Sequence, residues 1–269
     1  MSEIVAVVFD WAGTVVDFGC LAPVRALQAA FAAEGLALSE AQARKDMGKA
    51  KRDHVAALIA DPDIMRAWLG RYGMSPTGSD VDRLYAALEP LMLQEAARHS
   101  TLIPGAAEIA DWLQHKGVKI GSSTGYTRAM MAGILPRAAS QGYAPSVVVC
   151  AGETKVGRPS PLPMWRALSE LAAYPVWRTV KVDDAIVGVE EGRAAGAWTV
   201  GLAASGNGVG LSLEAWMALS ESERAEKTEA SGKILRDAGA DYAIATIADL
   251  KEVLTDIERR IALGERPRP

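Results

Sequence analysis

Six short runs rich in β-branched residues, spaced along the chain and alternating with helical stretches, leave few folds open. The runs are IVAVVF (4–9), VKIGS (118–122), SVVVC (146–150), TVKV (179–182), WTVGL (198–202) and YAIA (242–245). They are near-continuously apolar, as strands covered on both faces are. Helical patterning lies between them at 105–115, 127–138, 161–171 and 187–195. Strand–helix alternation of this kind predicts an α/β protein with a Rossmann-like, doubly wound parallel sheet.

One interval breaks the rhythm. More than a hundred residues separate the first run from VKIGS, and they read as helix. Ala-rich segments 21–34, 40–46, 49–60, 62–72 and 80–98 carry a 3.6-residue period. The expected organisation is therefore a core of 1–19 and 101–269 with an all-helical cap, 20–100, inserted over the carboxyl edge of the sheet, where such sheets bind ligands. The length of 269 residues suits a core domain with a smaller insertion. A net charge of −4 offers nothing to attract nucleic acid or an acidic membrane. Two cysteines, Cys20 and Cys150, make no disulfide framework and suggest reduced thiols in a cytoplasmic protein. The apolar run before Asp10 is too short for a signal peptide or a membrane span. The tail GERPRP reads as disordered.

Polar residues cluster at the predicted strand ends. Asp10 closes the first strand, Ser123 follows VKIGS, Arg158 lies in GRPSP after SVVVC, and Asp183 and Asp184 follow TVKV. Any one of them alone reads as a turn or cap residue. The order Asp, Ser, Arg, Asp, each at the end of a different strand, predicts a single convergent site.

With that order in place, the chain resembles the haloacid dehalogenase (HAD) superfamily of phosphotransferases. DWAGTVVDFG (10–19), MGKAKRDH (47–54), GSSTGYT (121–127) and EGRAAGAWTVG (191–201) resemble its phosphonatase (phosphonoacetaldehyde hydrolase) family. Most HAD relatives carry Asp where Ala12 stands, and in phosphatases that acid protonates a leaving alkoxide. The resemblance implies that a P–C bond is broken instead. No alkoxide then leaves, and the carbon leaving group needs an electron sink.

A lysine imine with the substrate aldehyde is such a sink. Lys49 and Lys51 compete for the role. In a helix beginning near residue 49, Lys51, Val55 and Leu58 share an apolar stripe with His54 beside it, whereas Lys49 and Asp53 form an i, i+4 pair nearer solvent. A lysine on an apolar stripe has its ammonium disfavoured. The family's Schiff-base lysine also maps onto Lys51. The resemblance then implies hydrolysis of phosphonoacetaldehyde to acetaldehyde and phosphate, in the degradation of 2-aminoethylphosphonate, through an enamine on Lys51 and an aspartyl-phosphate on Asp10.

Carboxylate attack on a phosphonate dianion meets a repulsion of about 4 kcal/mol per charge pair at about 4 Å and an effective dielectric near 20. The implied remedy is Mg²⁺ held by Asp10, the Ala12 carbonyl and Asp184. Arg158 and Ser123 would bind phosphoryl oxygens, with N–H donors from Trp11 to Thr14 and from Gly125. Cys20, Met47, Gly48, His54 and Tyr126 match residues that the family places around its lysine; His54 or a water would shuttle protons, Cys20 would pack, and Gly48 would let the cap loop approach. A homodimer formed through the cap is also implied. The family's last motif often reads G-D-x-x-x-D, but here DDAIVG (183–188) puts Gly188 at the second acid and Asp183 before the ligand. Asp183 is therefore expected to replace the missing acid, orienting metal-bound water or Ser123.

Two other reactions fit parts of the pattern. GSSTG (121–125) matches a serine-esterase elbow, but His54, His99 and His115 all precede Ser123, against the chain order that such a triad needs. A phosphomonoesterase using Lys51 only as a binding cation is the nearer alternative. GNGVG (206–210) lacks a strand directly before it and reads as a flexible loop rather than a dinucleotide site.

Overall fold

In the computed structural model, which describes residues 2–268, six strands form one parallel sheet: β1 Ala6–Phe9, β2 Lys119–Ser123, β3 Val147–Val149, β4 Thr179–Asp183, β5 Trp198–Leu202 and β6 Tyr242–Ile244. The spatial order is β3-β2-β1-β4-β5-β6. β1 is paired on both sides, Val8 lying opposite Gly121 of β2 and Lys181 of β4. All four β1 residues are fully buried, which is why the run is apolar without alternation. The connectivity leaves β1 toward β2 and β3 and returns on its other side at β4. The reversal makes the β1/β4 carboxyl ends the ligand crevice of the sheet.

Helices account for the rest of the regular structure. Five occupy the long interval: α1 Leu21–Ala33, α2 Glu40–Arg44, α3 Lys51–Ile59, α4 Pro62–Tyr72 and α5 Gly78–Arg98. They are followed by α6 Ala106–His115, α7 Arg128–Ser140, α8 Leu162–Glu170 and α9 Ile186–Ala195, then α10 Leu213–Met217, α11 Glu221–Asp237 and α12 Leu250–Ala262. The strandless run of α1–α5 has the helical content of a cap domain. α1 packs along α5, and α5 also lies on α7, so the helical segment rests on the flank of the sheet. The last three helices carry no prediction above. α11 is polar over most of its length and shows a weak apolar period, whereas α12 buries Leu250, Leu254, Ile257 and Ile261 on one stripe.

Three local expectations need correction. Ser123 and Asp183 are the last residues of β2 and β4 rather than the first residues beyond them. α3 starts at Lys51, so Lys49 lies outside the helix and pairs with Asp46 rather than Asp53. The segment 264–268 has no regular structure and is largely exposed, but it makes specific contacts: the Arg266 guanidinium lies 3.6 Å from the Trp177 ring centre, and Glu265 accepts from Arg260 Nε at 2.8 Å. The final residue of the expected disordered tail, Pro269, lies outside the described residues. No helix among the described residues is long and apolar enough to cross a membrane.

Candidate active site

The nucleophile candidate is built by β1. The Asp10 N–H donates to Val182 O at 3.0 Å, which fixes the end of β1 against β4. Beyond it the chain turns tightly, with the N–H groups of Thr14, Val15 and Val16 all directed at Trp11 O. Gly13 N–H likewise donates to Val16 O and Asp17 O. The expectation that Gly13 and Thr14 offer free donors to a ligand is therefore corrected: the turn consumes them.

Asp10, Asp183 and Asp184 are buried together, with one carboxylate oxygen from each within 4.8 Å of the others. Burial raises Asp10 to about 6, opposed by Arg158 and reinforced by Asp183. Burial and the charges of Asp183 and Asp10 push Asp184 well above the carboxylate range. Asp10 Oδ1 accepts no hydrogen bond, although Arg158 Nη1 stands 3.3 Å away. Asp10, Asp183, Asp184 and Glu191 face the buried cations Arg158, Lys181 and Lys51, so four ionised carboxylates would exceed three cations by one charge. Asp183 is already engaged by Arg158 Nη1 at 2.8 Å and Lys181 Nζ at 3.1 Å. Asp10, whose Oδ1 accepts no hydrogen bond, and Asp184, whose Oδ2 accepts from Asn207 N at 2.7 Å, offer hard oxygen donors side by side, and they fit a divalent cation such as Mg²⁺.

Lys51 comes from the other side. It is the first residue of α3 and only 3% exposed. Burial lowers its pKa to about 8, and the positive end of the helix dipole acts in the same direction. Its Nζ lies 3.7 Å from Met47 Sδ and 5.7 Å from the centre of the Tyr126 ring. His54 is fully buried beside it. Desolvation first, and the charge of Lys51 next, bring His54 down to about 3, so its imidazole is neutral in the working range. Burial also pushes the Cys20 thiol well above its ordinary range, which suits packing and not attack.

One cavity gathers most of these groups: Asp10, Ala12, Cys20, Met47, Gly48, Lys51, Gly125, Tyr126, Arg158 and Asp184 line it, joined by Pro23, Thr124 and Ala185. It encloses about 20 Å³, space for about one water. The helical segment closes tightly over it. A side chain at Gly125 would place Cβ 2.8 Å from Gly48 O, and one at Gly48, whose φ is +91°, would lie 2.5 Å from Val187 Cγ2. These two glycines let the segments touch, and Arg158 Nη2 fastens the contact by donating to Gly48 O at 3.1 Å.

His54, Ser123 and Asp183 do not line the cavity. Ser123 Oγ donates to Glu191 Oε2 at 2.8 Å and accepts from Lys181 Nζ at 2.7 Å, beneath the cavity floor. Its one proton is committed, and it is the next residue, Thr124, that lines the cavity. The esterase reading fails for the same reason: the partners of Ser123 are a lysine and a glutamate. The expected contact between Asp183 and Ser123 is absent as well, since Lys181 stands between them. Sequence reading missed Thr124, Lys181 and Glu191. Strand parity, placing alternate side chains on opposite faces, was the signal that separates 123 from 124.

Comparison with known proteins agrees with this geometry. A family model described as haloacid dehalogenase-like hydrolase matches residues 4–196. The phosphonoacetaldehyde hydrolase of Paraburkholderia xenovorans is 45% identical over 267 residues, covering 99% of this chain and 100% of its own. That of Bordetella pertussis is 44% identical over 262 residues, covering 97% and 95%. The crystal structure of a phosphonoacetaldehyde hydrolase-like protein from Oleispira antarctica superposes with a TM-score of 0.97 at 42% identity, covering 98% of this chain and 96% of that one. The chain therefore belongs to the haloacid dehalogenase-like hydrolases and, within them, to the phosphonoacetaldehyde hydrolase family.

Proposed function

We propose that this enzyme hydrolyses the C–P bond of phosphonoacetaldehyde through an imine on Lys51 and a phosphoryl intermediate on Asp10. The observation that carries the reading is the placement of Lys51: an amine buried at a helix N-terminus, with its pKa near 8, on the wall of the cavity that also holds Asp10 and Arg158. About one molecule in ten then carries the free amine at pH 7.

The Lys51 amine adds to the substrate aldehyde and loses water to give the iminium. Asp10 Oδ attacks phosphorus. The C–P electron pair moves into the iminium, leaving an enamine on Lys51 and an acyl phosphate on Asp10. Water cleaves the acyl phosphate, releasing phosphate and the Asp10 carboxylate. The enamine takes a proton at carbon and is hydrolysed to acetaldehyde and the Lys51 amine. Ala12 fits this sequence because no departing oxygen needs protonation. Arg158 and Thr124 hold the phosphonate oxygens, Asp183 orients Arg158, and the closed contact of Gly48 and Gly125 keeps bulk water from the enamine. Neutral His54, outside the cavity wall, leaves proton shuttling at the imine to water. Asp10, the Ala12 carbonyl and Asp184 would hold Mg²⁺, which supplies charge neutralisation between carboxylate and phosphonate. A cavity of about 20 Å³ is too small for the substrate, so the 20–100 segment acts as a cap that opens to admit it.

The same reading includes a role in 2-aminoethylphosphonate degradation, cytoplasmic residence and a homodimer formed through the cap, where Leu69 and Met74 are exposed. The decisive experiment is borohydride reduction in the presence of phosphonoacetaldehyde, followed by peptide mapping. The expected result is a single adduct on Lys51. Turnover with no adduct on any lysine, or faster phosphate release from simple phosphate esters, would replace this reading with a phosphomonoesterase.

A further inference from the structure

Lys181 is a fully buried lysine that the reaction above does not use. It precedes Asp183 by two residues on β4 and so projects from the same face. Its Nζ meets Ser123 Oγ at 2.7 Å, Glu191 Oε2 at 3.0 Å and Asp183 Oδ2 at 3.1 Å. The stem is clamped too: a side chain at Gly192 would put Cβ 2.5 Å from Lys181 Cβ, so α9 can lie on β4 only with glycine there.

Asp183 is held just as closely. Its Oδ1 accepts from Ala185 N at 3.0 Å and its Oδ2 from Arg158 Nη1 at 2.8 Å. A Cβ built at Gly188 would lie 1.9 Å from Asp183 Oδ2. The carboxylate thus fills the volume that any side chain at 188 would occupy. The chain of contacts runs Glu191–Lys181–Asp183–Arg158, and Arg158 ends it on Asp10 and on Gly48 O of the helical segment.

We propose that Lys181 is a positioning residue, locking one carboxylate in a slot shared by positions 183 and 188 so that Arg158 is aimed at the phosphonate. This rests on the reading of Arg158 as the phosphonate-binding cation. Lys181 does not reach the cavity and touches no substrate. Its effect passes through Asp183: a guanidinium fixed before the ligand arrives loses no binding energy to reorganisation.

Two sets of variants test this. Replacing the whole buried pair, Lys181→Met with Glu191→Met, leaves neither charge stranded, and such replacements are often neutral or stabilising. The folded double variant is expected to bind inorganic phosphate, by titration calorimetry with Mg²⁺, about tenfold more weakly than wild type, as for loss of a charge-assisted contact. Its kcat/KM is expected to fall at least as far while its melting temperature holds. Unchanged phosphate affinity in the folded variant overturns the proposal. The second set decides the matter even if that pair does not fold. Asp183→Gly and Gly188→Asp are each expected to lose activity, and the two together to recover it, because the acid then enters the slot from the other wall. A combined variant no more active than either single one overturns the shared slot. Phosphate binding does not depend on C–P cleavage, so a wild-type protein that binds phosphate but releases none from phosphonoacetaldehyde refutes the proposed function and not the positioning.

Discussion

Lys51→Met should cost all activity and yet make the protein more stable at neutral pH. The lysine falls from 10.5 to about 8 on burial. At about 1.4 kcal/mol per pH unit, the folded protein is penalised by about 3 kcal/mol wherever the amine is charged in both states. The sign follows from proton counts. Between pH 8 and 10.5 the unfolded chain binds more protons at this lysine than the folded one, so its contribution to stability rises with pH and the penalty disappears above 10.5. Methionine keeps the unbranched stem without the charge. Urea denaturation should therefore show Lys51→Met more stable than wild type by up to about 3 kcal/mol at pH 7, with the gap shrinking at pH 10. Borohydride should trap nothing on the variant. A variant less stable than wild type by the same amount at both pH values would refute the argument, because the amine would then be favourably paired and not a desolvated base.

Four further outcomes follow from the same geometry. The initial rate of borohydride trapping on wild-type enzyme should rise with pH through about 8, as the Lys51 ammonium gives up its proton, and flatten above it; a rate still climbing through about pH 10 would mean an ordinary, solvated lysine. Thr124→Val should raise KM about tenfold, the loss of one contact to a charged phosphonate, whereas Ser123→Ala should cost about 1 kcal/mol of stability with a smaller change in KM; steady-state kinetics and denaturation on the pair separate the roles. Gly48→Ala should lower kcat/KM about tenfold or more through a left-handed φ and a collision with Val187, about 1–2 kcal/mol from the backbone alone. Chelation of divalent cations should abolish turnover and leave the Asp10–Asp184 charge uncompensated, so that added Mg²⁺ raises the melting temperature of wild type but not of Asp184→Asn.

Much of the architecture is local and was readable. A run such as AVVF is apolar on both faces because helices cover both sides of the sheet. The missing strand between Phe9 and Lys119 shows in the sequence as an Ala-rich, 3.6-period stretch. The exchange at Ala12 and the stripe of Lys51, Val55 and Leu58 are likewise visible, since spacing along one element decides which side chains lie together. Polar helices were not readable: α11 buries only Ser231, Gly232 and Leu235 of its 17 residues, and little apolar period marks it.

The sequence by itself determined the parallel sheet, the helical insertion and the strand ends that carry the acids, because each depends on a period within one segment. Only the tertiary structure decided which neighbour reaches the cavity. It put Thr124 on the wall and Ser123 beneath it, and it brought Lys181 and Glu191 together from a strand and a helix. It also gave the Asp183 carboxylate the space that Gly188 leaves open. Those outcomes depend on where separate segments meet, and desolvation, which sets the charge of Lys51 and Asp10, exists only once the chain has closed around them.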